Sequence, residues 1–173
     1  ADLPAWTARL FARQREAGAS AAIGGYDEAR PVYAGAAFRH RGNDRDEWRT
    51  VHLGLDVFMH AGTVVRAPFD GVVHSFANNA APFDYGPCIV LAHRVEDEQG
   101  ALHFQTLYGH LSAESLAGLE VGQPVRQGEP LATLGDFPVN GNWPPHLHLQ
   151  IVLDMLGREG DFIGSCLPSE RRL

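Results

Sequence analysis

His146-Leu147-His148-Leu149-Gln150-Ile151-Val152-Leu153 sets one residue series, His146, His148, Gln150 and Val152, against a second, all-aliphatic series. A period of two is the signature of a β-strand, and it puts both imidazoles on one face, about 6–7 Å apart. Pro144-Pro145 just before it offers no amide donors, so pairing is delayed until the histidines. Working outward, residues 102–110 form a second run in which Phe104, Thr106, Tyr108 and His110 share a face. Residues 88–93 form a third. Residues 63–76 read as two strands around Asp70-Gly71, a hairpin signal. Residues 51–58 are apolar with His52 and Asp56 embedded, and residues 121–131 read as strand, turn, strand. This last stretch compares loosely with residues 61–66. Short strands separated by Gly and Pro turns predict a mainly β fold, an antiparallel sandwich or barrel-like sheet protein.

The flanks differ from this core. Asp2-Leu3-Pro4 is a helix start, Trp6, Leu10 and Phe11 fall on one face, and Gly18 is a stop signal. A helix is predicted over residues 4–17, as a docking or linker element outside the site. Residues 20–50 lack periodicity, with Tyr26, Arg30 and Tyr33 in an edge strand or loop. The predicted organisation is therefore an N-terminal helix and irregular lead-in over 1–50, a core over 51–153, and an extension over 154–173. The extension ends in Glu170-Arg171-Arg172-Leu173, read as a connection to a further domain, and a start at Ala1 reads as a processed or excised piece.

Composition narrows the function classes. The chain has 173 residues and a net charge of −7, with no basic patch, which argues against nucleic acid as a partner. It contains no run of about 18 apolar residues, so no membrane-spanning helix is expected. All 14 basic residues are arginine. Without lysine, chemistry that depends on biotin, lipoate, a Schiff base or a P-loop cannot operate. Cys88 and Cys166 are expected to be unpaired thiols, since two cysteines make no framework.

His52, Asp56, His110, His146 and His148 are the residues that carry chemistry. Imidazole and carboxylate bind Zn²⁺ and can leave one coordination position open to water, as a hydrolase requires. Each histidine alone is an ordinary strand residue. The conjunction of three such segments in a β-rich chain points to one metal site. Four extended residues span roughly 13 Å, too far for His52 and Asp56 to share an ion, so Gly54 between them is expected to bend the strand. Spacing alone leaves open whether His146 or His148 ligates.

The same segments resemble the lysostaphin-like zinc metallopeptidases, the M23 or LytM-type family. The likeness runs through His-x-Gly-x-Asp at 52–56, Ala-Gly-Thr-Val-Val-Arg-Ala-Pro-Phe-Asp-Gly-Val-Val at 61–73 and Tyr-Gly-His-Leu at 108–111. It continues through Val-Gly-Gln-Pro-Val-Arg-Gln-Gly at 121–128 to His-Leu-His at 146–148, in the family's order. It implies a duplicated hybrid β motif and one Zn²⁺ per chain, held by His52, Asp56 and His148. His110 and His146 become the non-ligand histidines that handle protons. A peptide, from peptidoglycan or elsewhere, becomes the substrate. The loops over 76–86 and 138–145 depart from the family, which predicts that they form the groove walls, with Trp143 and Asn142 at the substrate rim. His60 stands where the family has proline, and no role is expected for it or for His40, His74, His93 and His103. Asp-Tyr-Gly-Pro at 84–87, Gly-His-Leu-Ser at 109–112 and Asn-Gly-Asn-Trp-Pro-Pro-His-Leu-His at 140–148 carry a narrower resemblance, to modules in bacterial fusions between a kinase-like and an aminotransferase domain. It implies a cytoplasmic location, with periplasmic or extracellular as the alternative. Two other functions fit the pattern less well. One is a histidine phosphocarrier, which needs no ligand triad; the other is a catalytically silent binding or regulatory module of the same fold.

Overall fold

A computed structural model describes residues 2–33, 35–39, 47–98 and 100–171. His40, Arg172 and Leu173 lie outside the described residues. Helix α1 spans Leu3–Glu16. The strands are β1 Ala22–Gly24, β2 Val51–His52, β3 Leu55–Phe58, β4 Val64–Arg66, β5 Gly71–Asn79 and β6 Gly86–Asp97. They continue with β7 Gly100–Gly109, β8 Pro124–Val125, β9 Pro130–Thr133, β10 His146–Val152 and β11 Ser165–Cys166. Seven form one antiparallel sheet in the order β1-β3-β10-β7-β6-β5-β8, and two pairs, β2 with β11 and β4 with β9, complete the fold. The fold is mainly β with an N-terminal helix, as expected.

The sequence signals act as anticipated at the helix. The Asp2 carboxylate accepts the Ala5 amide at 3.0 Å, Pro4 sits in the first turn, and Gly18 follows the last turn with φ +61°. Strands β6 and β7 form the long hairpin on which the core is built. Ile89, Leu91 and Tyr108 pack with Val65, Val73 and Leu134 on one side, and Cys88, Val90 and Leu107 pack with Val152 and Met155 on the other. Cys88 and Cys166 are both free thiols. No helix among the described residues is long and apolar enough to cross a membrane.

One turn differs from its sequence signal. Asp70-Gly71 does not close a hairpin, because β4 pairs with β9 while β5 pairs with β6 and β8. Longer-range bonds take over the residues that would have made the turn. The Asp70 carboxylate accepts the Gln127 amide at 2.7 Å, and its carbonyl bonds to the His93 ring at 2.8 Å. The chain thus crosses from one sheet to another at this point. The loosely similar segments around 61–66 and 121–131 meet in the sheet only at Arg66 and Pro130; Val64 and Val65 pair beyond the second segment, with Thr133 and Ala132.

Candidate metal centre

Strand register brings the site together. In β10, His148 lies opposite Asp56 of β3 on one side and Gly109 of β7 on the other, and His146 lies opposite Phe58. His52 ends β2, and Leu53 and Gly54 carry the chain across to β3. The sequence reading made Gly54 a bend. The structure gives it a second reason: a Cβ there would stand 2.5 Å from His148 Cε1 and 2.9 Å from the Leu149 carbonyl. Gly54→Ala is therefore expected to push the His148 ring aside and weaken metal binding, measured by zinc titration against a competing chelator. The β10 face bearing His146, His148 and Gln150 is the buried one, while Ile151 on the other face is 65% exposed. The lead-in and the C-terminal segment cover the histidine face.

Three atoms converge. His52 Nε2 is 3.0 Å from His148 Nδ1 and 3.2 Å from Asp56 Oδ1, and His148 Nδ1 is 3.1 Å from Asp56 Oδ1. All three residues are buried, and they form a group able to hold a metal ion. Outer partners assign the ring tautomers. His52 Nδ1 donates to the Gly25 carbonyl at 3.0 Å. His148 Nε2 donates to Gln150 Oε1 at 3.1 Å, and the Gln150 amide nitrogen is itself committed to the Ile163 carbonyl. Each ring therefore turns an unprotonated nitrogen inward. Two lone pairs and a carboxylate oxygen facing one another without a proton repel unless a cation lies among them. Zinc ligated at about 2.0–2.1 Å with tetrahedral angles needs ligand–ligand edges of roughly 3.3 Å, close to those found. The residues present fit the ion.

His110 and His146 stand beside this triangle, with ring centroids 4.2 Å apart. His110 follows β7 with φ +61°, which turns it out of the strand, and its Nδ1 donates to the Asn140 carbonyl at 2.9 Å. His146 Nδ1 donates to the Pro144 carbonyl at 2.6 Å. His110 Nε2 is thus turned toward the cleft, and His146 Nε2 lies 3.7 Å from Asp56 Oδ2. Burial, the first cause in each case, pushes both imidazoles below their ordinary value, His110 far below. Burial opposes the Asp56 charge too, but when the metal-free site takes up protons the neighbouring histidines, His146 first and then His148 and His52, outweigh it and hold the carboxyl well below the usual range.

These shifts set a pH dependence. Between their lowered folded values and the ordinary 6.5, His110 and His146 bind fewer protons folded than unfolded. Stability then rises with pH across that window and is lost as pH falls below about 6.5. The metal-free protein should melt at progressively lower temperature from that point down, and His110→Gln should flatten part of the decline.

A cleft of about 690 Å³ opens over Asp56, His110, His146 and His148. Its walls include residues 81–85 and Trp143, from the two loops expected to form them. Those loops are locked together by Gly141, whose φ is +79° and whose Cβ would fall 1.9 Å from the Asp84 carbonyl oxygen. Trp143 is buried against Tyr33 and Phe83 at ring distances of 5.9 and 5.3 Å, while Asn142 sits in the same turn with φ +69°, outside the lining. His60 stacks on Phe11 of α1 at 4.5 Å. His93 is buried in the sheet, bonded to Thr106 and to the Asp70 carbonyl.

Three contributors escaped sequence reading. Arg30 pairs with Asp56 Oδ2. Tyr85 packs on His148 at 5.0 Å. Helix α1, expected to stand apart, reaches the site: Trp6 lines the cleft and meets Phe58 at 6.0 Å, Gln14 donates to the Phe58 carbonyl, and Phe58 stacks on His146 at 4.8 Å. Tyr85 lies in the Asp-Tyr-Gly-Pro run, which carried no site role, and no motif marks Arg30 or the helix residues, because each acts through a partner distant in sequence.

Known proteins give the same picture. An uncharacterised metalloprotease of Haemophilus influenzae is 36% identical over 103 residues, 60% of this chain and 19% of that protein, so the chain spans about a fifth of that relative. The catalytic domain of the antimicrobial peptidase lysostaphin from Staphylococcus simulans superposes with a TM-score of 0.53 at 22% identity, covering 85% of this chain and 86% of that one, which shows a shared fold. A zinc-containing peptidase from Vibrio cholerae is 22% identical over 73% of this chain and 37% of that one, with a TM-score of 0.45. Residues 50–159, which hold all five histidine and aspartate positions of the site, match Peptidase family M23, and the chain belongs to that family.

Proposed function

We propose that this chain is a zinc metallopeptidase that hydrolyses a peptide bond with a metal-activated water. One observation carries the reading: two unprotonated imidazole nitrogens and a carboxylate oxygen converge within 3.0–3.2 Å at the floor of a cleft shared with two further imidazoles. His52, Asp56 and His148 hold the ion. When bound, zinc polarises a carbonyl and lowers the pKa of water toward about 7.

His110 and His146 do the proton work. Each is anchored at Nδ1 and presents a neutral Nε2, able to accept the proton that water gives up as its oxygen bonds to the peptide carbon. The ring that gains the proton becomes a donor, and the pair then steadies the oxyanion and returns the proton to the leaving amine as the C–N bond breaks. Stacking on Phe58 keeps the His146 ring in place. Trp143 and Asn142 are proposed as rim residues that select the peptide. A peptidoglycan cross-link or another peptide, attached kinase-like and aminotransferase domains, and a cytoplasmic location rest on sequence resemblance alone.

The test pairs metal analysis of the purified protein with cleavage of a glycine-rich peptide and a muropeptide panel in added zinc. Stoichiometric zinc with cleavage is expected. Zinc without cleavage of any peptide would make the domain a silent binding module, and a protein that binds no zinc would point to the phosphocarrier-like reading.

A further inference from the structure

We infer that Arg30 is a positioning residue of the metal centre: it holds the second oxygen of Asp56, so that this carboxylate can bind the metal through Oδ1 alone. The inference rests on the reading of His52, Asp56 and His148 as a zinc site. Arg30 precedes the residues matched to the family, 50–159, so nothing in that match assigns it a role.

The two oxygens of Asp56 have different partners. Oδ1 faces His52 Nε2 at 3.2 Å and His148 Nδ1 at 3.1 Å. Oδ2 accepts a hydrogen bond from Arg30 Nη1, with His146 Nε2 farther off at 3.7 Å. The same guanidinium donates to the Tyr33 hydroxyl at 3.2 Å and to Glu28 Oε2 at 3.1 Å. The Arg30 side chain is 13% exposed and that of Asp56 3%. A carboxylate with both oxygens free can chelate a cation and use up the position kept for water or substrate. An oxygen already engaged by a buried cation is a poor second ligand. Arginine suits this task because its planar fork reaches three partners at fixed angles, which an ammonium cannot.

The segment around Arg30 is fitted to it. Gly24 lies opposite Asp56 in the sheet, and a Cβ there would stand 2.3 Å from Arg30 Nη2. The Gly25 amide fixes Glu28 Oε2 at 2.9 Å, while the Gly25 carbonyl accepts His52 Nδ1 at 3.0 Å. The Arg30 amide is tied to the Thr50 carbonyl at 2.7 Å, and the His52 amide to the Glu28 carbonyl at 2.9 Å. One short stretch before the family core therefore holds the outer side of two ligands at once.

The test measures zinc affinity of the full chain by competition with a chromophoric chelator, in the wild type, Arg30→Met and Gly24→Ala. Loss of such an outer partner weakens metal binding about 10–100-fold, and both variants should fall in that range. With Co²⁺ in place of Zn²⁺, the visible absorption of Arg30→Met should weaken and shift as Asp56 gains a second bond to the metal. A role in fold stability alone would lower the melting temperature of the metal-free protein and leave the cobalt spectrum of the folded fraction unchanged. That result, or zinc affinity within about twofold of wild type in the variants, overturns the inference. If Arg30→Met does not fold, Gly24→Ala decides, since it keeps the charge and displaces only the guanidinium. A wild type that binds no zinc would instead overturn the metal-site reading, and this inference with it.

Discussion

Asp56→Ala is expected to abolish stoichiometric zinc binding and to destabilise the metal-free protein by about 3–5 kcal/mol. The two effects share one cause. Asp56 is 2% exposed and provides one oxygen to the proposed ligand triangle and the other to Arg30. Its removal leaves a buried guanidinium facing an apolar methyl group, and burial already works against the Arg30 charge, which the adjacent carboxylate sustains. Zinc content after dialysis measures the first effect, and urea unfolding of the metal-free variant the second. Wild-type stability with one bound zinc would remove Asp56 from both roles. The pH sign is also fixed. With its folded value held below the ordinary 3.8, Asp56 adds stability above that pH, and the contribution fades as pH falls toward the folded value.

His110→Ala should keep its zinc and lose about 10²–10⁴ of its turnover, the range ascribed to a positioned acid or base. His110 is anchored by the Asn140 carbonyl and lies beside His146, outside the triangle of converging atoms. Parallel measurements of kcat and zinc stoichiometry on a cleavable peptide separate the roles. Loss of the metal would make His110 a ligand, and an unchanged kcat would place the proton transfer elsewhere. Because the His146 ring lies 4.2 Å from that of His110, beside the same cleft, residual turnover in His110→Ala should vanish in the double variant with His146→Ala.

The strand residues near the site were legible because each signal was local. Alternation over 146–153 gave β10 and its histidine face, and the helix start at Asp2 gave α1 to within a residue at each end. The pattern left His146 and His148 open as ligands, and only the family resemblance singled out His52, Asp56 and His148, whose side chains lie together. Burial of both faces of β10 was not legible. Leu147 and Leu149 of the aliphatic face pack against the core while Ile151 is exposed, and His146, His148 and Gln150 on the other face are covered as well. What covers them comes from residues 23–33, 37–38 and 161–165, whose sequences carry no periodic signal. Asp70-Gly71 misled for the same reason. Its local chemistry suits a tight turn, but bonds to Gln127 and His93 redirect the chain. Arg30 was invisible as a site residue because its partner lies 26 positions away.

The register of β10 has a consequence for folding. His148 stands opposite both Asp56 and Gly109, so its strand is gauged from two sides. A slip by one residue would turn Leu147 and Leu149 toward the cleft and scatter the three side chains of the proposed metal site. The ion can therefore act as a proofreader of strand alignment, rewarding one pairing and no other. Refolding with zinc present should return a larger yield of correctly aligned molecules than refolding with a chelator followed by late addition of the metal.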